Sequence, residues 1–152
     1  MRTIITILFV TLTINSFGQE DSTSIYYKAL WYYNSHLDSI KSNESELYIS
    51  YSKGITENLP KQIGGRRIFI ITKRNKVKIY KNNDNFIIET TIFESRLVKD
   101  DVTEVCITPY IGEYKGKRKG IYLALSDWVI IQFKYDTENK TYNYLTTLTG
   151  GI

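Results

Sequence analysis

The sequence predicts an α+β fold: one N-terminal helix packed on a curved, mostly antiparallel sheet of about seven strands. Three observations carry that expectation. Apolar residues recur at three- and four-residue spacing between Thr23 and Ser42, then at two-residue spacing from Leu47 onward. Strand–helix–strand alternation is not visible, so the strands are expected to pair antiparallel. Short turns rich in Asn, Asp and Gly separate the later apolar runs.

The chain opens with Met1-Arg2-Thr3 and an uncharged apolar stretch, Ile4 to Ile14. Asn15-Ser16-Phe17-Gly18-Gln19 then leads to the acidic Glu20-Asp21. That order is the pattern of a bacterial secretory signal peptide, with cleavage expected near Gly18 or Gln19 and export to the periplasm or the medium. A spanning helix needs about 20 apolar residues, roughly twice this stretch, so no membrane span is expected in the mature chain. Cys106 is far from the cut, so the signal lacks the cysteine of a lipid anchor. Residues 1–19 are therefore read as signal peptide and 20–152 as one domain, whose 133 residues can bury a core.

Asp21 or Ser22 is placed to cap a helix from about Thr23 to Ser42. Tyr26, Ala29, Leu30, Tyr33, Leu37 and Ile40 form its apolar stripe, which Tyr27, Trp31 and Tyr32 broaden. Leu47, Ile49 and Tyr51 alternate as a first strand. Thr56 to Gly65 reads as a loop. Arg67 to Thr72 is apolar on both faces, as in a central strand. Val77 and Ile79 alternate with Lys76 and Lys78, predicting a half-exposed strand that ends at Asn82-Asn83-Asp84-Asn85. Strands are then expected at Phe86 to Phe93, Val102 to Tyr110, Ile121 to Leu125, Trp128 to Tyr135 and Thr141 to Leu148, the last two joined by a hairpin loop at Asp136 to Lys140. A closed barrel plugged by the helix is the second architecture the pattern allows.

Composition narrows the chemistry. Loss of Arg2 with the signal leaves 19 basic residues against 16 acidic, a net charge of +3. That balance falls short of nucleic-acid binding. Cys106 is the only cysteine, so no internal disulfide can form, and its alternating context predicts a small buried hydrophobe. His36 is the only histidine, which removes His/Cys zinc sites and leaves no marked nucleophile for a triad. No cofactor motif is present.

Three groups of residues remain as candidates. Lys115, Lys117, Arg118 and Lys119, set between Gly116 and Gly120, can grip an anionic partner, although the glycines equally mark a solvated hairpin tip. Arg66, Arg67, Lys73, Arg74, Lys76 and Lys78 form a second basic region that would strengthen this reading if both met on one face. The 13 tyrosines and two tryptophans suit sugar or protein recognition, yet strand preference also explains tyrosine. Asp100-Asp101 reads as a turn, and Asp127 as a turn or bulge within an apolar run; spacing alone pairs neither with a second catalytic carboxyl.

Ile55-Thr56-Glu57-Asn58-Leu59-Pro60 leading to Ile63-Gly64-Gly65 is one distinctive stretch. Ser126-Asp127-Trp128 through Phe133-Lys134-Tyr135-Asp136, with the final Gly150-Gly151-Ile152, is another. With a leader ending in Phe17-Gly18-Gln19, they resemble short exported proteins of Bacteroidota-type bacteria whose function is unknown. The resemblance implies export and a non-enzymatic role, and it transfers no site residue. The leading expectation is an exported binding or accessory domain whose partner is an envelope protein or an anionic glycan. A small carboxylate-based hydrolase and an inhibitor or immunity protein are the alternatives. Two carboxyls in one polar pocket, one with a raised pKa, would favour the hydrolase.

Overall fold

The computed structural model describes residues 24–151, so the leader and the two helix-capping candidates Asp21 and Ser22 lie outside the described residues. Helix α1 (Ile25–Ser39) starts at Ser24, whose Oγ accepts the Tyr26 N–H at 3.3 Å and so satisfies one of the helix's unpaired donors. It stops three residues before the predicted end. Ala29, Leu30, Tyr33 and Leu37 are buried along one face, but Trp31 is 47 % exposed and does not widen the stripe.

Nine strands follow: β1 (Glu46–Ser50), β2 (Gln62–Ile63), β3 (Arg66–Ile71), β4 (Phe86–Ile92), β5 (Arg96–Lys99), β6 (Val102–Tyr114), β7 (Ile121–Leu125), β8 (Asp127–Asp136) and β9 (Thr141–Gly151). They form one open sheet in the order β2-β3-β1-β4-β6-β8-β9, with β5 and β7 also pairing to β6. The architecture is α+β and mostly antiparallel, as predicted, and open rather than a closed barrel. The surplus over seven strands includes β2 and β5, whose two and four residues are too short to show an alternation.

The largest departure from the sequence reading lies at residues 76–82. The predicted strand there is a helix, α2 (Lys76–Asn82). β1 runs parallel to both of its neighbours, β3 and β4, so the chain must leave β3, cross a face of the sheet and return in the same direction. A parallel return cannot be made by a hairpin, and a short helix supplies the crossing. Ile79 and Tyr80, three and four residues after Lys76, turn inward, while Val77 and Lys78 face solvent. Seven residues are too few for that spacing to stand out from alternation.

The two helices lie on opposite faces. Under α1, Leu47, Ile49, Ile92, Val105, Ile107, Val129, Ile131 and Phe133 form the main core with the helix stripe. Under α2, a smaller cluster joins Ile71, Tyr80 and Ile87. Tyr80 is fully buried over Gly112, where any Cβ would run into its phenol ring. The segment predicted as a central strand, β3, is one strand in from the edge. It is apolar on both sides because Ile68 and Ile70 meet the α1 core and Ile71 meets the α2 cluster. Alternation in β6 gives Val105 and Ile107 to the α1 core and turns Cys106 to the other face. Its thiol is therefore half-buried, 3.5 Å from Thr108 Oγ1, rather than a core hydrophobe.

β6 organises the sheet because it changes partners along its length. Its first half pairs with β8 and β5, and its second half with β7 and β4. Pro109 stands at the change. A proline has no N–H to give a ladder, and here that missing donor coincides with the break between β7 and β8 at Ser126. The Pro109 carbonyl accepts from the Ser126 N–H at 3.5 Å. Beyond the break, Asp127 begins the series Val129, Ile131 and Phe133 that faces α1.

Candidate functional site

The basic tract is the tip of the β6–β7 hairpin. Gly116 and Gly120 both take positive φ, +96° and +71°, and the turn closes through Lys115 N–H to the Gly120 carbonyl at 2.9 Å. Lys117, Arg118 and Lys119 are exposed and make no ion pair with a described residue. Lys115 is partly neutralised by Glu113, 3.1 Å away, and its ammonium lies 5.5 Å from the centre of the Tyr122 ring.

The second basic region divides. Arg66 is buried against Asp38, Arg67 is bound by Glu46, and Lys76 is 2.9 Å from buried Glu89, so these three cations serve the fold. Lys73, Arg74 and Lys78 face solvent and pair with no carboxylate among the described residues.

Helix α2 carries part of this region to the base of the hairpin. Lys73 and Arg74 sit just before α2, Lys78 and Lys81 on it, and Lys81 lies 5.6 Å from the centre of the Tyr114 ring at the end of β6. Tyr114 N–H donates to the Asn85 carbonyl at 2.8 Å, fixing the hairpin to the turn that follows α2. Two acidic residues adjoin the junction in sequence, Asp84 beside Asn85 and Glu113 beside Tyr114. The result is a ridge of ammonium and guanidinium groups that runs along a helix and onto a hairpin. Lys81 is not among the sequence candidates because alternation in this segment predicts a strand, which hides the helix that carries it.

A different arrangement lies under the C-terminal end of α1. A small cavity of about 110 Å³ is bordered by Tyr33, His36, Glu44, Ser126 and Asp127. The strand break at Pro109 opens it, and Ser126 Oγ donates to Asp127 Oδ1 at 2.6 Å. Burial pushes the Glu44 carboxyl above its ordinary value; Arg66 opposes this and the negative charge of Asp127 adds to it. Burial likewise holds the Tyr33 phenol well above the usual tyrosine range. Glu44 lies just past the predicted end of the helix at Ser42, and only the fold brings it to Asp127. Asp100 and Asp101 form the predicted turn between β5 and β6, both with positive φ, and Asp101 borders a pocket of about 430 Å³ together with Asp136 and Glu138.

The raised Glu44 pKa has a sign that can be checked. Its protonated form is favoured in the fold, so its contribution is present below the unfolded glutamate value, roughly 4.3. That contribution is lost as pH climbs through the higher folded value. Glu44→Gln is therefore expected to gain stability relative to the wild type between pH 4 and pH 7, measured by urea denaturation at each pH. A difference that stays flat across that range would contradict a buried, charge-averse Glu44.

On the α2 face a further cavity of about 440 Å³ is lined by Arg96, Glu104, Cys106, Trp128 and Ile130, among others. Its buried carboxylate, Glu104, already accepts from Arg96 Nε at 3.0 Å and Gln132 Nε2 at 2.6 Å, which ties β5, β6 and β8 together. Among the described residues no group of three or more His, Cys, Asp or Glu side chains gathers to hold a metal, and no helix is long and apolar enough to cross a membrane. Comparison of the chain with protein-family models, with curated proteins and with solved structures finds no match, so the reading of the site rests on its own geometry.

Proposed function

We propose that this protein is an exported binding module that holds an anionic glycan on the ridge formed by α2 and the β6–β7 tip. The observation that carries the reading is the packing of Lys81 on Tyr114, which joins two basic tracts about 40 residues apart in the sequence. Cations spaced along a helix and a turn, without a closed cavity, suit repeated carboxylate or sulfate groups on a chain better than one small ion. Clustered like charges raise the local potential even where the net charge is small. Such attraction is screened at distances beyond about 8–10 Å at physiological salt, so binding should weaken steeply as salt rises.

Retention on a heparin column tests this. The mature wild-type domain is expected to bind at low salt. Lys117→Glu/Arg118→Glu/Lys119→Glu should pass through unretained, whereas Lys53→Glu/Lys61→Glu, at exposed positions in the β1–β3 connection, should elute close to the wild type. Equal elution of both variants would overturn the reading. Recovery from an envelope extract of a protein partner whose capture depends on the same three residues would replace the glycan with that partner.

One observation favours a second reading, a carboxylate hydrolase: Glu44, with its raised pKa, borders the same cavity as Asp127. The cavity is far smaller than the roughly 300–1,000 Å³ of ordinary ligand sites, so any substrate would need α1 to move. Hydrolysis of an aryl glycoside by the wild type, and its loss in Glu44→Gln, would move this reading ahead of the first.

A further inference from the structure

From the cleft between α1 and β9 we infer a second binding site, one for a neutral oligosaccharide, on the opposite face of the sheet from α2. Tyr27 and Trp31 stand one helical turn apart on α1, and Lys28 and Tyr32 stand beside them in the same spacing. Tyr142 and Tyr144 on β9 form the other wall, and the cleft measures about 460 Å³.

The walls are held in place before any ligand arrives. Tyr32 stacks on Tyr144 with ring centres 3.9 Å apart and planes 14° from parallel, and its edge meets buried Phe133 at 6.1 Å. Lys28 crosses from helix to strand, donating to Thr141 Oγ1 at 2.7 Å and to the Tyr142 carbonyl at 2.9 Å. These contacts explain Tyr32, Tyr144 and Lys28 as packing. They do not explain Trp31, which is 47 % exposed beside them. A single exposed tryptophan needs no explanation, but one at the rim of a cleft walled by tyrosines is placed to receive a ligand.

The chemistry selects the class of ligand. Aromatic faces carry negative π density that meets the C–H groups on the apolar face of a pyranose ring, while tyrosine hydroxyls and the Asn143 amide can meet its hydroxyl groups. Among the described residues lining the cleft only Lys28 is charged, and its ammonium is already engaged, so an anionic ligand gains little from it. The volume suits a short run of sugar rings, whereas a stable protein interface buries on the order of 1,000 Å² or more.

Isothermal titration of the mature domain with cellohexaose, laminarihexaose and mannohexaose tests the site. At least one is expected to bind. Trp31→Ala should raise its Kd at least tenfold while leaving the melting temperature and heparin retention at wild-type values. Tyr27→Ala should weaken binding in the same direction. Failure of all three sugars to bind at millimolar concentration would overturn the proposal, and so would binding that Trp31→Ala leaves unchanged. Capture of an unglycosylated envelope protein that is lost in Trp31→Ala would also overturn it, in favour of protein docking. Because heparin retention is read on the same variants, failure here is distinguishable from failure of the anionic ridge.

Discussion

Glu89→Ala is expected to destabilise the protein by roughly 3–5 kcal/mol, the cost typical of removing one partner from a buried charged network. Glu89 lies on β4 beneath α2, with its side chain 4 % exposed. Its Oε1 accepts from Ser50 Oγ at 2.6 Å and from Lys76 Nζ at 2.9 Å, and its Oε2 accepts from Tyr80 Oη at 2.7 Å. One carboxylate thus ties Lys76 and Tyr80, one turn apart on α2, to strands β1 and β4. Alanine would leave a fully buried phenol and a half-buried ammonium without an acceptor. Glu89→Gln, which keeps one acceptor oxygen and the side-chain volume, should cost about half as much. Urea denaturation of the three proteins provides the comparison. A loss below about 1 kcal/mol for the alanine variant would show that α2 is held by its apolar contacts alone. The ridge rides on α2, so Glu89→Ala should also weaken heparin retention.

Arg66→Ala should be the second costly change, at about 2–4 kcal/mol. The Arg66 guanidinium is buried under the end of α1. Its Nη1 donates to Asn34 Oδ1 at 2.8 Å and to Asp38 Oδ1 at 2.5 Å, and its Nη2 donates to the Ser42 carbonyl at 3.2 Å. Those three bonds tie the last turn of α1 and the segment after it to β3. Gly64 makes room for the cluster: its φ is +52°, and any Cβ would strike the Asn34 amide. Two features limit the worth of the charge itself. The Asp38 side chain is 57 % exposed and can turn to water, and the buried Arg66 Nε has no partner among the described residues. Arg66→Met, which keeps the apolar stem, should therefore lose less than half as much as Arg66→Ala. Equal losses for the two variants, by the same denaturation measurement, would assign the stabilisation to the hydrogen bonds rather than to the packed stem.

The same network shows how much was legible in advance. Arg66 stands in a basic stretch of the sequence, and nothing local says that Asn34 and Asp38 wait 32 and 28 residues earlier. Lys76 was read with the exposed face of a strand, whereas the crossover turns it toward Glu89. Lys117, Arg118 and Lys119 were read as a solvated tip bracketed by glycines, and they are one, because a turn's conformation is set by its own few residues. Whether they meet the second basic region, Arg66 to Lys78, is a condition that only packing can answer, and the contact is made through Lys81, outside that region. Asp127 was read as a break in a run of strands, which is its position, but its neighbours Tyr33, His36 and Glu44 come from another part of the chain.

The α+β class, the N-terminal helix and most of the strands follow from sequence because they depend on periodicity and turn chemistry, which act over a few residues. The helix α2, the parallel setting of β1 and the gathering of every candidate site depend on which strand lies beside which. That choice is governed by burial and pairing between residues distant in the chain. Local alternation at Lys76–Ile79 fits strand and helix equally, and only the need to return parallel to β1 selects the helix. With that selection, charges scattered along the sequence become one ridge.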